Sequence, residues 1–151
     1  MPMGVYRWTR ERQVWAALRD NLADSPHLHI QRIESPTTGG GQPDVEACYH
    51  GVQIWIELKI IRNNRIPLTD RQTHWHTQRA NAGGQSFILA WDNARQALLL
   101  WQGQHAKLVQ SLSLAKPFLV DFPVDYFLCP IDWPQLRHTI FTPTTKGNLH
   151  E

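Results

Sequence analysis

The chain has 151 residues, 42% hydrophobic and 19% charged, a composition that excludes wholesale disorder and suffices for one real core. Fifteen Lys and Arg against 13 Asp and Glu give a net charge of +2, too small to mark a nucleic-acid binder by itself. No apolar run reaches the roughly 20 residues of a membrane helix. The opening MPMGVYRWTRERQ has no signal-peptide core. Two cysteines, Cys48 and Cys129, cannot make a disulfide framework, so the expected compartment is a reducing cytoplasm, that of a bacterial cell or a phage-infected host.

Residues 8–22 predict a helix, with Thr9 a candidate N-cap and Val14, Trp15, Leu18 and Leu22 at helical spacing. Asp24-Ser25-Pro26 stops it, and 27–33 reads as a short strand. Residues 35–43, SPTTGGGQP, are a loop by every local signal. DVEACYH (44–50) and VQIWIELKI (52–60) form a hairpin around His50-Gly51. In the second run Ile54, Ile56, Leu58 and Ile60 alternate with Gln53, Trp55, Glu57 and Lys59, giving a central strand with a core face and a chemical face. A basic connection over 62–67 leads to a helix over 69–82, with Thr69 as N-cap, Gln72 near the capping-box position and Gly83-Gly84 as the stop. Strands at 86–91 and 97–101 turn at Asp92-Asn93-Ala94, and a helix covers 104–114. From Pro117 the chain is rich in Pro and aromatics. It predicts one strand near 126–129, irregular packing, and a loose tail after Thr142. The order α-β-β-β-α-β-β-α describes one α/β domain over 1–151, with a mixed sheet, a core over about 8–116 and an extension from 117.

The chemistry concentrates in Pro43-Asp44, twelve intervening residues, then Glu57-Leu58-Lys59. Strand geometry sets Glu57 and Lys59 on one face, about 6.5–7 Å apart along the chain. The hairpin brings Asp44 toward that pair. Two adjacent carboxylates repel each other and favour a hard divalent cation, Mg²⁺ or Mn²⁺. The backbone carbonyl of Leu58 can add a third oxygen, and Lys59 can orient a water that the metal activates. An acid-x-Lys triplet alone is weak, and an edge-strand ion pair is its bland reading. Here it spends one of only four lysines, on a strongly alternating strand.

Together GGGQPD (39–44), IELK (56–59), PLTDRQTHW (67–75) and AGG (82–84) resemble the PD-(D/E)xK nuclease superfamily. Within it they are most similar to the stand-alone virus-type replication–repair nuclease (VRR-NUC) domain, with archaeal-type Holliday junction resolvases nearby. The motifs span roughly residues 8–101, and beyond Trp101 the match fades. The resemblance implies a restriction-endonuclease-like α-β-β-β-α-β core with C-terminal additions. It also implies a divalent metal, endonuclease activity on branched DNA such as four-way junctions, and a homodimer. Asp44 and Glu57 match the family's metal carboxylates, Lys59 its catalytic lysine and Gln72 its helical glutamine. Glu11 is the candidate for a first-helix glutamate, although an acid there also suits the helix dipole.

Other features are weighed beside this reading. Arg62, Arg65, Arg71, His74 and Arg79 suit a phosphate-tracking surface, or equally an ordinary solvated face. Trp55 and Trp75 could stack on bases, but packing is the commoner fate of tryptophan. His27-x-His29 and His74-x-His76 lack the spacing of a helical zinc pair, and Gly39 to Gly41 lack the Gly-Lys-Ser/Thr of a P-loop, so neither zinc nor a nucleotide cofactor is expected. Glu46 is a decoy or an auxiliary acid, and Cys48 reads as a small buried hydrophobe. Alternatives to the junction enzyme are a flap, single-strand or duplex nuclease, and a silent DNA-binding or assembly module on the same fold.

Overall fold

The computed structural model describes residues 6–33, 40–115 and 125–142. Gly39 and the loop residues just before it, the start of the C-terminal extension, and the tail expected after Thr142 lie outside the described residues. The elements are α1 (Glu11–Leu22), β1 (Leu28–Arg32), β2 (Val45–Tyr49), β3 (Val52–Ile60), α2 (Asp70–Asn81), β4 (Gln85–Asp92), β5 (Ala97–Gln102), α3 (Ala106–Ser111), β6 (Asp125–Leu128) and α4 (Trp133–Phe141). The strands form one sheet in the order β1-β2-β3-β4-β5-β6. β3 and β4 are parallel, as the crossover through α2 requires, and the other neighbours are antiparallel. The first six elements run α-β-β-β-α-β around a mixed sheet, the α/β arrangement expected from the sequence.

Both faces of the sheet are covered. Val14, Leu18 and Leu22 of α1 and Leu136, Ile140 and Phe141 of α4 pack on Ile54, Ile56, Leu58 and Ile60 and on alternate residues of β4 and β5. The opposite residues of β4 and β5 join Ile66, Leu68 and α3 in a second cluster. α2 lies on that second side, where its buried His76 meets Ser86 of β4. The apolar alternation of β3 therefore sends its aliphatic set to one layer and Trp55, Glu57 and Lys59 under the other.

Three elements differ from the sequence expectation. α1 begins at Glu11, because Arg10 is extended and the Gln13 amide oxygen accepts from the backbone N–H of Thr9 (2.8 Å) and Arg10 (3.1 Å). The reach-back of Gln13 caps the helix, in place of Thr9. The helix expected over 104–114 is a 3-10 turn, Gly103–His105, followed by a six-residue α3. It stops where the Leu114 N–H donates to the Asn64 carbonyl at 2.7 Å and draws the chain away. The irregular packing expected after the last strand is instead the nine-residue α4, with Gln135 N–H donating to the Asp132 carboxylate at 3.0 Å and Pro in the first turn. An N-cap Asp, an early Pro and apolar residues at 136, 140 and 141 are ordinary helix signals. Among the described residues no helix is long and apolar enough to cross a membrane.

Candidate active site

The β2–β3 hairpin turns through His50 at φ 48° and Gly51 at φ 82°, the positive pair that a two-residue hairpin turn needs. Its register pairs Val45 with Ile56. Asp44, one residue ahead of β2, therefore comes level with Glu57. There its Oδ2 accepts a 3.1 Å hydrogen bond from the Leu58 N–H. That N–H points into the gap where β2 has ended, and the Leu58 carbonyl lies on the same side of the strand.

Glu57 and Lys59 take the alternate side chains, 1% and 7% exposed, with Lys59 Nζ 3.6 Å from Glu57 Oε1. Above them stands the first turn of α2. Thr69 caps that helix by accepting from the Gln72 N–H at 3.2 Å, and the Gln72 Oε1 accepts in return from the Thr69 N–H at 2.9 Å. The other end of the same amide donates from Nε2 to Glu57 Oε1 at 2.7 Å. One side chain thus ties the helix start to the strand carboxylate. Gly41 lets the loop before β2 lie against the start of α2: its φ is +85°, and a Cβ there would collide with the Arg71 carbonyl and the Gln72 nitrogen.

Glu57 Oε2 is buried with no hydrogen-bond partner, a cost of about 1–3 kcal/mol or more for a carboxylate. Burial, and then the charge of Asp44, push the Glu57 carboxyl up to about 9 despite Lys59. Asp44 is raised too, because burial outweighs the Leu58 N–H and the charges of Lys59 and Arg32. Glu11, at the first position of α1, adds to both rises. The pocket is short of positive charge and holds an unclaimed carboxylate oxygen. Two carboxylates and a backbone carbonyl suit a hard divalent cation, so the donor set fits Mg²⁺ or Mn²⁺. Among the described residues no group of three or more His, Cys, Asp or Glu gathers for a metal. A third donor would therefore come from backbone, water or substrate.

Asp44, Glu57, Lys59 and Gln72 are thus brought together, with Glu11 near enough for its charge to be felt. Of the expected phosphate-tracking residues, Arg62, Arg65 and Arg79 have protein partners of their own. Arg62 Nη2 donates to the Thr9 carbonyl at 2.9 Å, and Arg65 Nη1 reaches the Ser111 carbonyl at 3.4 Å. Both flank a tight turn in which Asn63 and Asn64 have φ of 51° and 59°. Arg71 and His74 are exposed on α2. The Arg79 guanidinium lies 4.7 Å from the Trp75 ring centroid and 5.8 Å from that of Trp55. Trp55 is buried, and Trp75 meets it edge-on at 5.5 Å. Glu46 accepts from Gln31 (3.0 Å) and Gln53 (3.4 Å), away from the carboxylate pair. Cys48 is half-buried rather than buried.

One neighbour of the site, Arg32, is missed by the sequence reading, and a second, His76, is read there only as half of a His-x-His pair. Arg32 ends β1, and its charge acts on Asp44. Its only sequence signal is its place just before the glycine loop. His76 is fully buried, with Nδ1 2.7 Å from Ser86 Oγ and Nε2 unpartnered. Burial and then the charge of Lys59 lower its pKa to about 4. Its place one turn after Gln72 on a helix is the signal that marks it as inward-facing.

No protein-family model matches the chain, and no curated protein matches it. Among solved structures it is similar to Hjc, a Holliday junction resolvase of the archaeal hyperthermophile Archaeoglobus fulgidus. The TM-score is 0.42 and the identity 17%, over 62% of this chain and 74% of that one.

Proposed function

We propose that the chain is a divalent-metal-dependent endodeoxyribonuclease of the PD-(D/E)xK, VRR-NUC-like type, hydrolysing phosphodiester bonds in branched DNA as a homodimer. The carrying observation is that Asp44, Glu57, Lys59 and Gln72 converge where β2 ends, with Glu57 Oε2 left unpartnered. The four-way junction and the dimer come from the motif resemblance.

Asp44 and Glu57, with the Leu58 carbonyl, would hold the cation. When bound, Mg²⁺ or Mn²⁺ supplies Lewis-acid polarisation of the scissile phosphate and of the attacking water. Gln72 occupies Oε1 of Glu57 and leaves Oε2 without a protein partner. Lys59, held beside Glu57, orients the water and stabilises negative charge developing on the phosphate. Arg62 clamps the start of α1, which keeps Glu11 at the mouth of the site.

The test is cleavage of a labelled four-way junction, a flap and a linear duplex with Mg²⁺, Mn²⁺ or EDTA, for wild type and Lys59→Ala. Metal-dependent junction cutting that the substitution lowers by about 10²-fold or more is expected. Equal cutting of all three substrates removes the junction preference. DNA binding without cutting leaves a silent module, and unchanged cutting by Lys59→Ala removes the assigned mechanism. Light scattering showing a monomer on and off DNA removes the dimer.

A further inference from the structure

The outer face of α1 carries Arg12, Trp15 and Arg19 at spacings of three and four residues, so they line one side of the helix. Across from them Arg32 ends β1, and Arg12, Trp15, Arg19 and Arg32 line a shallow groove of about 560 Å³. The three arginines are exposed, while Trp15 is half-buried and rooted on the main core. Asp20 is the acid met at this face, 3.2 Å from Arg19 Nε. Two residues of the groove, Arg12 and Arg32, border the candidate site. Glu11 precedes Arg12, and Arg32 stands close enough to Asp44 for its charge to act there.

A row of cations fits a chain of phosphates. An aromatic plane set among those cations fits something more particular, an unpaired base. Bases inside a duplex hide their faces in the stack, whereas a single strand offers them. Trp15 is anchored on the core at one edge and stays half in water among three arginines, which leaves part of its ring free for a base. We propose that this groove takes one single DNA strand leaving the Asp44–Glu57 site, its phosphates on Arg12, Arg19 and Arg32 and an unpaired base stacked on Trp15. The proposal rests on the nuclease reading and deepens it: within branched DNA the groove adds a contact for an unpaired strand next to the scissile bond. It also moves the strand path from α2, where Arg79 is committed to two tryptophans, to the α1–β1 side of the site.

The experiment is fluorescence anisotropy with a labelled duplex bearing a single-stranded overhang, and with the same duplex blunt, in EDTA over a salt series. The overhang carries 2-aminopurine to report stacking. Wild type, Trp15→Ala, Trp15→Phe and the double variant Arg12→Gln/Arg19→Gln are compared, and each is also assayed for cleavage in Mn²⁺. Arg32 is left in place because its charge reaches Asp44.

Trp15→Ala is expected to weaken overhang binding roughly 5- to 150-fold, the worth of one stacked base. It should leave blunt-duplex binding unchanged and abolish 2-aminopurine quenching. Trp15→Phe keeps an aromatic ring, so retained quenching there separates stacking from a folding defect. The double arginine variant should reduce the slope of log K against log salt by about 1.4, two phosphate contacts on a single strand. Equal losses on blunt and overhang DNA overturn the single-strand occupant and leave a duplex-backbone site. Variants that bind like a cleaving wild type overturn the groove while the nuclease reading stands. A wild type that neither binds nor cuts overturns both.

Discussion

His76 makes the acid stability of this protein a quantitative test of the packing under α2. The imidazole has no exposed surface, and burial with the nearby Lys59 charge lowers its pKa from 6.5 to about 4. The unfolded chain takes up this proton near pH 6.5 and the folded chain only near pH 4, so between those values the unfolded state binds more protons. Above pH 6.5 the group contributes no pH dependence. As pH falls through the window stability is lost, at about 1.4 kcal/mol per pH unit and about 3 kcal/mol in all.

Glu57 acts in the opposite sense. Its pKa is raised from 4.5 to about 9, so the folded state binds the extra proton between those values. Its contribution is complete below pH 4.5 and is lost as pH rises through 9. From about pH 6.5 to 4.5 the two slopes oppose each other, and wild-type stability should change little. His76→Gln removes one of them. Urea unfolding from pH 7 to pH 4 in EDTA should show the variant gaining on wild type by about 3 kcal/mol across the series, whatever its stability at neutral pH. Parallel curves for the two proteins would refute a buried, neutral His76.

Three further outcomes follow from the site. Gln72→Glu keeps an acceptor for the Thr69 N–H but sets a third carboxylate against Glu57; cleavage should fall by about tenfold or more with the thermal midpoint within a few degrees of wild type. Glu57→Gln removes a buried carboxylate, so at about pH 9 in EDTA the variant should melt above wild type. Its melting temperature should no longer respond to Mn²⁺, and a preserved response would place the cation elsewhere. Gly41→Ala forces a side chain into a left-handed position against the α2 backbone and should cost roughly 1–3 kcal/mol in thermal unfolding; an unchanged midpoint would mean the loop does not pack there.

The meeting of Asp44 with Glu57 and Lys59 is legible in the sequence because local rules decide it, while Gln72 joins them there only through the motif resemblance. A two-residue turn sets the hairpin register, strand alternation puts Glu57 and Lys59 on one face, and the Thr69–Gln72 box sets where α2 begins. Glu57 as a hydrogen-bond acceptor of the capping glutamine is a tertiary fact, since helix and strand must first dock. The same limit hides Arg32 and His76, whose neighbours arrive from other elements. It also explains the basic stretch: Arg62, Arg65 and Arg79 look free along the chain, yet in space two hold carbonyls and one lies on indoles. α4 is different, because its cap and apolar spacing are present locally but lie inside a run rich in Pro and aromatics that reads as irregular.

The turn at His50-Gly51 also acts as a length gauge for the chemistry. About 20 Å of strand separates it from Asp44, at about 3.3 Å per residue. The five paired residues between fix which backbone N–H the Asp44 carboxylate meets. Inserting one residue at that distant turn would slip β2 along β3 and present Asp44 to a neighbour of Leu58 whose side chain faces the opposite layer. If the slip were absorbed by β3 instead, Glu57 and Lys59 would rotate into the aliphatic layer and Ile56 and Leu58 into the site. A loop far from any substrate therefore tolerates changes of residue far better than changes of length, and length variants there should fold poorly or fold without a usable carboxylate pair.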